Sequence, residues 1–271
     1  MARPLRPEYP GALYHVSARG HGGVAVFGDN LDGRVFLQLL GETCARTGWR
    51  VHAVCLTPDR YQIVVETPHA NLVSGMRQLA GVYTQRFNRH HGHKGSLFQG
   101  RYRAVLVERE TCLLELCREV ALTPVRAGLA AAPEDWRWSS YRVTIGREPL
   151  PPWLEVEWLR ERFDGDRKAW QRYVAEGLTA PNVWEGRRQQ IYLGSEDFVR
   201  EVEAKVASAD DPRAGKPKPL DWYVKNGADR TAAMAEAWLS GDHSQIEIAR
   251  HFNVHYSTVS HAVKRYRARG E

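Results

Sequence analysis

Apolar and polar residues alternate from Ala12 to Arg19, the period of a strand with one face buried. After Asp29, a residue suited to capping, the period changes, and Leu31, Val35, Phe36, Leu39 and Leu40 form the apolar stripe of a helix. Arg50 to Leu56 and Arg60 to Glu66 read as two strands joined at the turn Thr57-Pro58-Asp59. Asn71 opens a second long helix, with Leu72, Met76, Leu79, Val82, Tyr83 and Phe87 inward, that ends in a loop from Asn88 to Gly95. Tyr102 to Val107 supplies another strand. Thr111 is placed to cap a third helix that stops before Pro124, because the residue ahead of a proline is driven out of helical backbone. This order predicts an α+β fold, a central antiparallel sheet flanked by helices, over residues 1–147.

Residues 148–194 carry Trp153, Trp158, Trp170 and Tyr173 in short helical pieces, and these rings are expected to dock the segment on the first domain. Ser208 to Pro219, with its Asp-Asp-Pro and Lys-Pro-Lys-Pro runs, reads as a linker, so 148–219 is a connector. Residues 220–271 then form a small all-α domain. Gln245 to Arg265, preceded by a helix over Thr231 to Ser240, has the pattern of a helix-turn-helix: Ala249 permits close approach and Val254, Val259 and Val263 supply core. Its second helix starts near Tyr256 and would present Tyr256, Ser257, Thr258, His261, Lys264 and Arg265 to a major groove, backed by the basic run Lys264 to Arg269.

The chain has 271 residues, 43% of them apolar, and a formal net charge of +6. That length allows one good-sized domain and a small one, and the positive balance favours a polyanionic partner. No 18-residue apolar run and no leader pattern appear, so the expectation is a cytoplasmic, nucleoid-associated protein with no membrane partner. Cys44, Cys55, Cys112 and Cys117 lack metal-binding spacing and read as reduced core thiols. Between residues 71 and 107 stand six Lys or Arg, three His and no Asp or Glu. A charge run is ordinarily a solvated face; interleaved with Tyr83, Phe87, Phe98 and Tyr102, this one points to nucleic acid, with Arg77, Arg86, Arg89, Lys94, Arg101 and Arg103 as contacts.

Five words of the sequence carry a family resemblance: Pro10 to Val16, Gly75 to Leu79, Tyr83 to Asn88, Leu97 to Tyr102 and Pro124 to Leu129. With the strand after Cys55 they resemble the IS200-like, REP-associated tyrosine transposases, single-strand DNA nickases of the HUH class. The resemblance implies a metal site of two histidines in an Asn-His-Tyr-His word, completed by an amide ligand one helical turn after a nucleophilic tyrosine, with Mg²⁺ or Mn²⁺ as cofactor. In a strand, residues two apart share a face, so His-x-His aims two imidazoles at one ion.

Here the four aligned positions hold Arg60, Gln62, Glu119 and Thr123. A guanidinium has no lone pair to ligate a metal. About 4 Å from a dication, its charge would cost roughly 8 kcal/mol at an effective dielectric of about 20. Glu119 cannot form the stable phosphotyrosine link of the family. The expectation is therefore a degenerate site with no catalytic residue, no metal and no cofactor, in a transposase-derived pseudoenzyme. It would bind hairpin or single-stranded DNA through the first domain and duplex DNA through the second, as a regulator or architectural factor. An active nickase with an atypical site is the alternative. Of the nearby groups, His52 and Tyr61 are expected in the core, the latter by strand alternation. The changes at 60 and 119, a cation and an anion, further suggest an Arg60–Glu119 ion pair where metal and tyrosine would meet.

Overall fold

The computed structural model describes residues 7–209, 218–240 and 243–268. Four strands form the middle of the first domain: β1 (Ala12–Arg19), β2 (Arg50–Thr57), β3 (Arg60–Thr67) and β4 (Arg103–Val107). They pair antiparallel in the order β2-β3-β1-β4. Two further strands, β5 (Arg187–Arg188) and β6 (Tyr192–Leu193), extend the sheet, with β6 parallel to β4. These two short strands lack the four-residue alternation that a sequence pattern needs, which is why the connector reads as helical pieces only.

Both faces of the sheet are covered. Helix α1 (Asn30–Thr47) and helix α2 (Leu72–His91) lie on the face formed by Tyr14, Val16, Leu56, Tyr61, Ile63 and Val65. Asp29 caps α1 by accepting from the N–H groups of Leu31 and Asp32, and Asp32 accepts in turn from the Asp29 N–H. Phe36, Leu39 and Leu40 are buried; Leu31 is exposed, because it lies roughly 140° around the helix from Phe36. Gly92, with φ of 62°, ends α2 in left-handed backbone. The Asn71 side chain does not cap α2; it accepts from Trp49 Nε1 at 2.7 Å and donates to the Thr47 carbonyl at 3.0 Å.

The other face, built from Leu13, Cys55, Val64 and Val105, is covered by α3 (Arg109–Arg126). This helix begins earlier than its Thr111 signal, since the Thr111 hydroxyl donates to the Glu108 carboxylate instead of capping. It also runs through Pro124: so near the end, proline removes only one backbone bond, and the Ala127 N–H still reaches the Thr123 carbonyl. From the connector come α4 (Tyr141–Thr144), α5 (Glu157–Arg162) and α6 (Arg167–Glu176), with Trp170 and Val174 of α6 buried against α3. The backbone of Trp153 and Glu155 bonds to Val51 on β2, so the connector meets the sheet at both edges. Helix α7 (Glu196–Ala209) buries Val199 and Val202 in the first core. Cys44, Cys55 and Cys117 are buried and Cys112 is half-buried, all of them free thiols.

Helices α8 (Leu220–Asn226), α9 (Arg230–Leu239), α10 (Gln245–His251) and α11 (Tyr256–Ala268) make the second unit around Met234, Ala237, Ile248, Ala249, Phe252, Val259 and Ala262. A reciprocal Ser244–Glu247 cap starts α10, and Asn253, at φ 48°, takes the left-handed position of the turn before α11. The linker residues 210–217 and the last basic residue, Arg269, lie outside the described residues. No helix among the described residues is long and apolar enough to cross a membrane.

Gly75 on α2 lies against the Trp49 ring: a Cβ there would stand 2.2 Å from Trp49 Cζ2. Gly75→Ala is expected to lower stability by about 1–3 kcal/mol in urea unfolding despite the better helix propensity of alanine, because the overpacked ring is fixed by its bond to Asn71.

Candidate functional site

Alternation along β3 sends Tyr61 into the α1/α2 core and Gln62 to the α3 face. Tyr61 is fully buried between Phe36 and Phe98, with ring centroids at 4.9 and 5.6 Å. On the opposite face, Gln62 Nε2 donates to Thr123 Oγ1 at 2.8 Å, and the Thr123 hydroxyl donates to the Glu119 carbonyl at 3.0 Å. The Gln62 carbonyl oxygen faces His15 Nε2 at 3.0 Å. With the amide oriented this way, His15 donates through Nε2. Two of the four aligned positions, Gln62 and Thr123, are thus in direct contact, and the chain of bonds extends to a third residue, His15, that sequence reasoning missed. The signal was there: in the β1–β3 pairing Ser17 lies opposite Gln62, and His15 is the diagonal neighbour on the same face.

His15 is 5% exposed and packs edge-on to Trp184 at 4.6 Å. Burial lowers its pKa to about 4, against a small opposing effect of the Gln62 bond, so the ring is neutral at physiological pH. His52 lies elsewhere, buried on β2 beside Glu66 at 3.4 Å, and burial lowers its pKa as well.

The other two aligned positions do not pair with each other. Arg60 forms its ion pair with the adjacent Asp59 at 2.8 Å, and Glu119 pairs with Arg126 at 2.9 Å. The expected Arg60–Glu119 bridge is corrected by two facts. Arg60 is 36% exposed and needs no buried counter-charge, and Asp59 is held at the same hairpin turn, so little chain entropy is lost in joining them. Glu119 is only 6% exposed; burial raises its pKa and the Arg126 and Arg118 charges oppose that rise. Arg126 also donates to the Gly177 carbonyl at 2.7 Å, which locks the pair to the connector.

As a donor set this face is a poor fit to Mg²⁺ or Mn²⁺. Both polar ends of the Gln62 amide are engaged, the Glu119 carboxylate is held by Arg126, and His15 turns its Nε2 to the amide. Hard dications need several free oxygen ligands.

The basic residues of 71–107 are all exposed, and helical geometry divides them. Arg77 and Arg86, nine residues apart on α2, point about 180° away from each other. Arg86, Arg89 and Lys94 gather at the end of α2 and the loop after it. Arg103 shares the α3 face of β4 with Val105 and Val107, with Arg101 just before it. Arg77 lies near enough to Glu247 of α10 for its charge to help lower the Glu247 pKa. In the second unit, Tyr256, Thr258, His261, Lys264 and Arg265 are exposed along α11 and Ser257 is half-buried.

The titration of His15 sets a test. Its folded pKa of about 4 lies below the ordinary 6.5, so the unfolded chain takes up the proton first. The contribution is full above pH 6.5 and is lost as the pH falls towards 4, by up to ~3 kcal/mol. Urea unfolding across that window should show a shallower pH slope in His15→Gln, which keeps a partner for Gln62; equal slopes would show that His15 titrates normally.

Residues 11–115 match the family model described as transposase IS200 like, and residues 230–271 match that of a helix-turn-helix domain. The first match covers Arg60 and Gln62 and stops short of Glu119 and Thr123. No curated protein matches the chain. Among solved structures it is similar to the REP-associated tyrosine transposase bound to a REP hairpin, at 13% identity over 56% of this chain and 89% of that one, with a TM-score of 0.47. It is also similar to a transposase-like protein of Deinococcus radiodurans R1, at 17% identity over 48% of this chain and 100% of that one, with a TM-score of 0.33. The chain thus holds a segment that matches the IS200-like transposases, followed by one that matches a helix-turn-helix domain.

Proposed function

We propose that this protein binds DNA with both of its domains and cleaves neither strand, acting at the nucleoid in the cytoplasm as a regulator or architectural factor. The observation that supports the loss of cleavage is the His15–Gln62–Thr123 chain of hydrogen bonds, with Glu119 held by Arg126 beside it. Strand transfer through a tyrosine needs a phenol oxygen and an ion to polarise the phosphate. At the aligned positions stand a carboxylate, a guanidinium, an amide and a hydroxyl, each with a partner of its own. Neither Mg²⁺ nor Mn²⁺ is part of this reading.

DNA binding rests on different residues and survives the change. Arg86, Arg89, Lys94, Arg101 and Arg103 offer exposed charge for single-stranded or hairpin DNA, where phosphate contacts give affinity without sequence choice. Helix α11 offers Thr258, His261 and Lys264 along one exposed side, the arrangement by which a recognition helix reads base edges in duplex DNA.

Two outcomes are expected. Incubated with labelled hairpin DNA and Mg²⁺ or Mn²⁺, the protein leaves the DNA intact and forms no covalent adduct on a denaturing gel; a shifted band would establish an active nickase with an atypical site. In titrations across salt concentrations, Arg86→Ala and Arg101→Ala each weaken binding uniformly and reduce the salt slope by about 1. His261→Ala and Lys264→Ala instead change duplex sequence preference, by about 1–3 kcal/mol for each base that is no longer read. Uniform weakening by all four would leave α11 bound to phosphates only.

A further inference from the structure

Apart from the α3 face, two histidines and two aspartates converge where the end of α2 meets the start of α1. Asp29, Asp32, His90 and His91 each contribute one atom to a group in which all four lie within 4.8 Å of one another. His90 Nε2 is 2.8 Å from Asp29 Oδ2, and His91 Nε2 is 2.8 Å from Asp32 Oδ2. The two pairs join residues that stand 61 and 59 positions apart in the chain. We propose that these four residues bind one divalent transition-metal ion of the zinc type, at a site separate from the one that the family resemblance implies on β3.

The orientation of each ligand is fixed by other groups. Asp29 Oδ1 caps α1 by accepting from Leu31 and Asp32, which leaves Oδ2 turned to the histidines. Asp32, 4% exposed at its side chain, is held by the N–H groups of Gly28 at 2.8 Å and Asp29 at 3.2 Å. The His91 ring packs at a tilt against Phe87, with centroids 4.3 Å apart. Gly28 makes room for it, since a Cβ there would come within 3.2 Å of His91 Cε1. Backbone and aromatic support of this kind is what holds metal ligands in register.

The distances suit insertion of an ion. Four ligands about 2.0–2.1 Å from a tetrahedral centre stand roughly 3.3 Å from one another. That separation lies between the 2.8 Å pair distances and the 4.8 Å span of the group. Two imidazole nitrogens with two carboxylate oxygens is a mixed set that favours zinc over the all-oxygen preference of Mg²⁺ or Ca²⁺. The two carboxylates also cancel the charge of a dication. Any proton on the imidazoles leaves to solvent as the metal takes the Nε2 lone pairs. The competing account is helix-end complementarity, in which protonated histidines at the end of α2 meet carboxylates at the start of α1. It explains each pair, but not why all four donor atoms lie within 4.8 Å of one another. Bound metal would fasten the end of α2, and with it Arg89 and the loop bearing Lys94, to α1.

Full-length protein stripped with chelator and titrated with Zn²⁺ alone by calorimetry should take up one equivalent. His90→Gln replaces a partly exposed ring, and Asp29→Asn keeps an oxygen for the cap; each should weaken zinc binding by about a hundredfold, while Gln62→Ala leaves it unchanged. Thermal melting without metal verifies that both variants fold. Absence of zinc binding in the unaltered protein, or binding unchanged in both variants, would overturn the proposal in favour of plain ion pairs. Zinc binding abolished in Gln62→Ala would overturn it in favour of the β3 site.

Discussion

The pleat of β1 and β3 governs this molecule. Each strand lies inside the sheet and has both faces covered, so the side chains along its middle must go to one of two cores. Tyr14, Val16, Tyr61 and Ile63 fill one side, while His15, Gln62 and Val64 go to the other. A slip of one residue would exchange the two sets, placing the His15 and Gln62 side chains among the rings of Phe36, Tyr83 and Phe98. The register is therefore held by hydrophobic burial on the α1/α2 side, and the polar groups opposite α3 inherit their positions from it.

Those polar groups then obey a second constraint. A buried donor or acceptor left without a partner costs about 1–3 kcal/mol. Thr123 relieves Gln62, Gln62 relieves His15, and Arg126 relieves Glu119. A site that holds an ion satisfies its ligands through the metal; here the side chains satisfy one another. The same face can therefore be stable without an ion.

Strand and helix order was legible in the sequence because each central element is long enough to show its period. Four strands and two long helices of the first domain stand where alternation and apolar stripes place them, and the third helix extends beyond its expected bounds at both ends. The helix-turn-helix was legible for the same reason. What escaped was non-local. The two-residue strands β5 and β6 exist only because the edge of β4 is there to pair with them. His15 went unnoticed because its role depends on a cross-strand diagonal, and the Asp29–His90 group because its halves are adjacent only through the α1/α2 packing.

The Arg60–Glu119 expectation failed for a reason that applies to charge pairing in general. Reading two opposite charges at aligned positions as partners assumes that the geometry which the resemblance implies, with both at one metal, acts on them. Nothing on this face draws them together except their own attraction, and each has a nearer option. Asp59 is the next residue to Arg60, and Arg126 is two turns along the helix from Glu119. At effective dielectrics of about 20, a pair near 3 Å outweighs the same charges held several ångströms further apart, before entropy is counted. Proximity along the chain therefore decides the partners. Arg60 and Glu119 are each satisfied locally, whereas the uncharged Gln62 and Thr123 bond to each other from strand to helix.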